Sequence, residues 1–178
     1  MMISYKHVLY RLVKLAQDVE EESPELAEEL LDVAGASAQE VDGLIEVLQG
    51  NLRSEISMIH AYWTYMGMLR SLHRDGITKH FEEHVQDEID HMYILMRRIV
   101  SLGGVPVLEA ESTKICETEQ EALKYIRQLE LKAVMNYTKS IKIFEDAGDR
   151  ATVVTLESLL EKELAHFDDV TRYFKEIE

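Results

Sequence analysis

Apolar residues recur along this chain at alternating steps of three and four, the spacing that lines one face of a helix. Tyr5, Leu9, Leu12, Ala16 and Val19 form such a stripe over residues 3–19. Ser23-Pro24-Glu25 then supplies a cap, a first-turn proline and a first-turn acid for a second short helix ending near Val33. After the link GASAQE (35–40), four longer stripes follow. The first, over about 39–73, runs Val41, Ile45, Leu48, Leu52, Glu55, Ile59, Tyr62, Met66, Leu69. The second, over about 79–102, runs Phe81, Val85, Glu88, Met92, Leu95, Ile99, Leu102, with Gly76 closing the preceding connection and Thr78 as its cap. The third, over about 119–146, runs Leu123, Ile126, Glu130, Ala133, Tyr137, Ile141, Phe144, opened by a Thr118/Glu121 capping box. Gly148-Asp149 reads as a stop and restart, and the last stripe runs Val153, Leu156, Leu160, Glu163, Phe167, Val170, Phe174 to about 175.

Connection lengths suggest how these helices are joined. The first-to-second and third-to-fourth long helices have short connections, so each pair forms an antiparallel hairpin. The middle link is about 15 residues and spans about 50 Å when extended, whereas a 24-residue helix is about 36 Å long. It therefore runs the length of the bundle and joins two helices that point the same way. The expected fold is all-α: a four-helix bundle of residues 39–178, built from two hairpins and one long crossover, with a helical extension over 1–38. That extension is read as a lid or docking arm.

Each long stripe is interrupted once by a glutamate: Glu55, Glu88, Glu130 and Glu163. A buried, unpaired carboxylate costs several kcal/mol or neutralises itself by a pKa shift. Lys and Arg are nearly absent from the stripes, so little in the chain itself would pair these acids. Two of the glutamates open an E-x-x-H step, Glu88 to His91 and Glu163 to His166, and residues three apart share a helix face. One such step is common by chance; two on the seams are not. Glu55 to Glu88 and Glu130 to Glu163 are both 33 residues, and the whole set repeats at an offset of 75. Tyr62 and Tyr137 obey the same offset. Four carboxylates with two imidazoles between the helices of a bundle is the donor set of a di-iron or di-manganese carboxylate centre. Two divalent ions neutralise four carboxylates, and oxygen-rich ligation with one imidazole per ion favours iron or manganese over zinc or copper.

Other residues carry weaker signals. The two tyrosines are placed either to hydrogen-bond bridging carboxylates and pass electrons or simply to fill the core. His84, one turn before Glu88, is expected on the surface or as filler, with support of the ligands as the alternative. Asp87 and Asp90 are expected on a solvated face, and His7, His60, His73 and His80 in no specific role. Met92, Met96 and Met135 read as core filler, and Cys116 as an incidental thiol.

Composition sets outer bounds. Of 178 residues 46% are hydrophobic, only two are proline, and the formal charge of −15 opposes a sequence-independent grip on nucleic acid. A single cysteine excludes an intrachain disulfide. No apolar run approaches the roughly 18 residues of a membrane span, and the opening MMISYKHVLYRLVKLAQ lacks the features of a secretory signal. A cytoplasmic location is expected.

From about 40 to 175 the chain resembles the ferritin-like superfamily, most closely the bacterioferritins and the bacterioferritin-like miniferritins. The resemblance is carried by the 33-residue step to E-x-x-H, by "SLGGVPVLE" and by "LELKA" around Glu130. It implies Glu55, Glu88, His91, Glu130, Glu163 and His166 as ligands of two Fe ions, with Tyr62 beside them. Bacterioferritins bind haem through a methionine where this chain has Ile89, so haem is not expected there. Ala133 and the lack of cysteine pairs separate the chain from rubrerythrins and from thiol-bearing miniferritins. Twelve residues follow His166, too few for the fifth helix of 24-subunit ferritins, which points to a dodecameric, hollow homo-oligomer. The expected activity is a ferroxidase that oxidises Fe(II) with O2 or H2O2, stores iron and consumes peroxide. The alternatives are a manganese or iron peroxidase or catalase without mineral storage, and a helical adaptor that recruits a partner through residues 1–38.

Overall fold

A computed structural model of the chain describes residues 5–34, 38–68, 74–112 and 114–177. Its six elements are helices: α1 (Tyr5–Val19), α2 (Pro24–Ala34), α3 (Ala38–Met68), α4 (Arg74–Ser101), α5 (Glu119–Asp146) and α6 (Arg150–Ile177). The last four form a four-helix bundle, and no strand occurs among the described residues.

Side-chain pairs fix the directions of the four helices. Tyr62 meets His84 and Glu55 meets His91, so α3 and α4 run antiparallel. Asn51 meets Ser140, Glu55 meets Tyr137 and Tyr62 meets Glu130, so α3 and α5 also run antiparallel. Arg98 meets Asp149 near one end of α4, and Asp87 meets His166 nearer the other, so α4 and α6 are antiparallel too. Helices α4 and α5 therefore point the same way. The link between them lies along α3: Val107 exchanges hydrogen bonds with Gln49, and the Glu111 amide donates to Ser57 Oγ at 2.8 Å. Further on, Cys116 packs with Ala61 and Tyr65.

Helix ends follow local chemistry. Thr118 Oγ1 accepts from the Glu121 amide at 3.1 Å, and the Glu121 carboxylate accepts from the Glu117 amide at 3.0 Å, one residue earlier than in a standard box. Gly103 and Gly148 take positive φ, 91° and 72°, and close α4 and α5 with amide bonds that reach back across the last turn. At Gly103 it is the positive φ that favours glycine, since the Lys14 side chain that a Cβ there would meet is flexible enough to move aside. The expected cap at Thr78 is wrong. Helix α4 starts at Arg74, so Gly76 lies in its first turn and Thr78 inside it, with Oγ1 buried and unbonded. The apolar stripe explains the earlier start, since Ile77 sits one turn before Phe81 and both are buried in the core. Residues 69–73, including Leu69 and His73, lie outside the described residues.

The core falls into two apolar clusters. One joins Met58, Tyr65, Ile77, Phe81, Leu123, Ile126 and Val170; the other joins Leu48, Leu52, Leu95, Ile99, Phe144, Val153 and Leu156. On α1 the buried face centres on Val13 and Ala16, with Leu12 half-buried, and Val13 enters the second cluster; the side chains of Tyr5 and Leu9 are not among those described. On α6 Leu159 is buried in the second cluster and the expected Leu160 packs against the same cluster partly buried. None of the helices is long and apolar enough, over the described residues, to cross a membrane.

The second cluster is sealed by an ion pair. Asp149 caps α6, accepting from the Thr152 amide at 3.1 Å, and pairs with Arg98 from α4, whose guanidinium also reaches Thr152 and Ser101. Burial opposes the Asp149 charge, but these bonds hold its carboxyl below the usual range. Removing one partner of a buried ion pair leaves the other uncompensated. Asp149→Ala is therefore expected to destabilise the fold by about 3–5 kcal/mol, read as a lower urea midpoint with an unchanged slope.

Candidate metal centre

Between the two apolar clusters lies a polar layer in which none of the residues Glu55, Glu88, His91, Glu130, Glu163 and His166 is more than 3% exposed. Each helix contributes one glutamate because each seam is broken once, and all four breaks fall at the same depth. The E-x-x-H steps on α4 and α6 add the histidines on the same faces.

The donor atoms fall into two overlapping groups, each drawn together within 4.8 Å. The first contains Glu55, Glu88, His91 and Glu163; the second contains Glu88, Glu130, Glu163 and His166. Glu88 and Glu163 belong to both. The arrangement thus offers two adjoining positions, each with its own carboxylate and imidazole, and two shared carboxylates between them. His91 Nδ1 lies 2.8 Å from Glu163, 3.2 Å from Glu88 and 3.3 Å from Glu55. A single ring nitrogen makes one hydrogen bond, so three converging carboxylates are more than it can satisfy. Glu88 Oε2, Glu130 Oε2 and both oxygens of Glu163 are buried without a hydrogen-bond partner. Unmet acceptors in a dry core are costly, and a divalent cation in each position would satisfy them. The donor set fits two such ions of the iron or manganese type, hard and tolerant of mixed oxygen and imidazole ligation.

The electrostatics match this crowding. Burial, with the neighbouring charge of Glu55, pushes Glu88 well above the ordinary carboxylate range; burial, with Glu88 and then Glu55, does the same for Glu163. Burial and Glu163 raise Glu130 to about 8. Burial also works to raise Glu55, but bonds with Glu88, His91 and Tyr137 outweigh it and leave the group below its ordinary value. Burial opposes charge on His91, yet its contacts with Glu163, Glu55 and Glu88 raise it far above a free imidazole.

Both tyrosines reach across the bundle. Tyr62 donates to Glu130, and Tyr137 donates to Glu55 at 2.7 Å. Each phenol thus holds a carboxylate of the opposite hairpin, and it is the unshared carboxylate that is held, not one common to both positions. Burial and these acids push both phenols well above 10.

Two residues have roles that the sequence did not favour. His84 is buried, not on the surface: its Nδ1 lies 2.9 Å from the Tyr62 hydroxyl, its Nε2 lies 3.5 Å from Asp169, and its ring stacks on His166 at 4.2 Å. Burial, reinforced by His166, lowers it to about 4, so it is neutral at pH 7. With Glu130 and His166 it forms a third close group. Asp87 is not simply solvated: its Oδ2 lies 3.2 Å from His166 Nε2 and 3.3 Å from Lys162. An acid immediately before a seam glutamate on one helix gave no clue that it would meet a histidine of another. Asp90 is exposed, as expected; His60 and His80 are exposed too, and the His7 side chain is not among those described.

Raised carboxyl pKa values set the sign of two pH effects. Glu88, Glu163 and Glu130 hold protons in the fold at pH values where the unfolded chain has released them. In chelated protein their stabilisation is present below about pH 4.5 and lost as pH rises through the folded values, Glu130 near 8. Ion binding displaces those protons, so apparent affinity rises over the same range. Chelator-treated protein is expected to melt at a lower temperature at pH 8 than at pH 6, and Mn(II) to raise the midpoint more at pH 8, measured by scanning calorimetry.

Comparison with known proteins gives a consistent relationship. A family model described as a ferritin-like domain matches residues 45–178. A bacterioferritin from Rhodobacter capsulatus is 28% identical over 126 residues, 70% of this chain and 78% of the relative. A solved structure of ferritin-like, diiron-carboxylate proteins from Bacillus anthracis str. Ames aligns at 28% identity with a TM-score of 0.74, covering 78% of this chain and 99% of that one. The dodecameric thioferritin of Bacteroides fragilis, a bacterioferritin-related protein, shares the fold at 24% identity and a TM-score of 0.69, over 77% of this chain and 87% of that one.

Proposed function

Because the chain belongs to the ferritin-like domain family, we propose that it is a ferroxidase, taking two Fe(II) ions per chain as substrate and passing their electrons to O2 or H2O2. The observation that carries this reading is the pair of overlapping donor groups sharing Glu88 and Glu163. Two adjoining ions give up one electron each, and the pair supplies the two electrons that convert O2 to H2O2 or H2O2 to water. The relationship to a diiron-carboxylate protein supports iron over manganese.

In this reading Glu55, Glu88, Glu130, Glu163, His91 and His166 hold the ions. The carboxylates offset the charge that grows from Fe(II) to Fe(III), which lowers the barrier to oxidation. Tyr62 and Tyr137 keep Glu130 and Glu55 aimed at the ions, and Tyr62 lies near enough to the second group to donate an electron when the oxidant outlasts the iron. The apolar clusters on either side keep bulk water from the layer. Ferric product passes into the interior of a hollow homo-oligomer, for which exposed Trp63, Tyr93, Val105 and Ile115 offer apolar surface to a second copy.

Anaerobic Fe(II) titration is expected to saturate at two ions per chain, and added H2O2 or O2 to oxidise them faster than in buffer. Saturation below two, or oxidation no faster than buffer, would overturn the reading. Glu130→Ala and His91→Ala are each expected to abolish the fast phase. Tyr62→Phe should keep the two-ion stoichiometry, and stopped-flow absorbance separates these cases.

A further inference from the structure

The two halves of the site are related by 75 residues, and comparing each position with its mate shows where they differ. The ligands obey the offset: Glu55 with Glu130, Glu88 with Glu163, His91 with His166. So do the two tyrosines. The residues behind the histidines do not. Asp87 lies 3.2 Å from His166 Nε2, but its mate is Lys162, an ammonium that donates and cannot accept. His84 stacks on His166 at 4.2 Å, but its mate is Leu159. Asp169 lies 3.5 Å from His84 Nε2, but its mate is Ile94. Two polar residues thus touch His166, with Asp169 behind one of them, and a leucine, a lysine and an isoleucine take the mating places in the chain.

A carboxylate that accepts from the outer nitrogen of a ligating histidine fixes the ring and its tautomer and raises its basicity. His166 has that support in Asp87, and its Nδ1 faces inward, 2.9 Å from Glu88. Lys162 contributes nothing of the kind to His91; it pairs with Asp87 at 3.3 Å across the pseudo-twofold.

From this we infer that the two ion positions are inequivalent and fill in order, the position bounded by Glu130 and His166 first, with Asp87 as the positioning residue that sets the order. The inference rests on the two-ion reading above and adds to it which position binds tightly and why. A near-symmetric ligand set is split by its outer residues into a resident position and an exchangeable one.

The test uses Co(II), which is not oxidised under these conditions, with the full chain stripped by chelator. Calorimetric titration with parallel visible absorption is expected to show two steps separated by at least about tenfold. Asp87→Asn should weaken the tighter step by about 10–100-fold and leave the weaker within twofold. Lys162→Asp should bring the two steps within about threefold of each other. Anomalous diffraction from wild-type crystals loaded with one equivalent should place the ion beside His166 and not His91, an observation that depends on no variant. Two identical steps in the wild type, or a first ion beside His91, would overturn the inference while leaving the two-ion reading intact. Fewer than two Co(II) per chain would overturn both.

Discussion

Four glutamates that cannot all be charged in a dry core constrain everything else in this protein. Burying one carboxylate without a partner costs several kcal/mol, and four at one depth repel as well. The bundle copes in part by its own means: Tyr62 and Tyr137 donate to two of the acids, His91 sits among three, and burial drives the remainder toward their neutral forms. Those measures leave four acceptor atoms unmet. The rest of the architecture serves to keep that arrangement standing, with an apolar cluster above it, another below it, and the Arg98–Asp149 pair sealing one end. Stability that a continuous apolar core would have supplied has been given up for a layer of carboxylates and imidazoles with the donor set to hold cations.

Most of this was legible in the chain because its periodicities are local. A three-four stripe places a residue on a face whatever the neighbouring helices do, so the seam positions of Glu55, Glu88, Glu130 and Glu163, the antiparallel hairpins and the long link could be read directly. The 33-residue step matters because it puts two residues of one hairpin at equal depth, a geometric consequence of helix rise and a short turn. The capping box at Thr118 was readable for the same reason.

What escaped depended on contacts between helices. Asp87 lies one position before Glu88, on a face that a single helix would present to solvent, and His84 lies one turn before it on the seam face, where nothing local says which partners it meets. The approach of α6 brings His166 to Asp87 and Asp169 to His84, and α3 adds Tyr62. The start of α4 was misjudged because Thr78 has the chemistry of a cap, whereas burial of Ile77 beside Phe81 extends the helix by another turn. In both cases tertiary packing overruled a sound local signal. The offset of 75 carried more information than its first use suggested. It locates the buried glutamates and histidines by agreement and the residues behind them by disagreement.

The polar layer has a consequence for how the molecule comes apart. It divides the interior into two apolar clusters that share little beyond Met92 at their boundary. Where charge repulsion weakens the plane between them, each end of the bundle can open without the other, and amide protons at the two ends exchange with solvent at different rates. On the two-ion reading proposed above, ions held between α4 and α6 by Glu88 and Glu163 would join these ends into one cooperative unit. The centre would then also be the fastening at the bundle's waist, and slow exchange across the whole domain a record of how fully it is loaded.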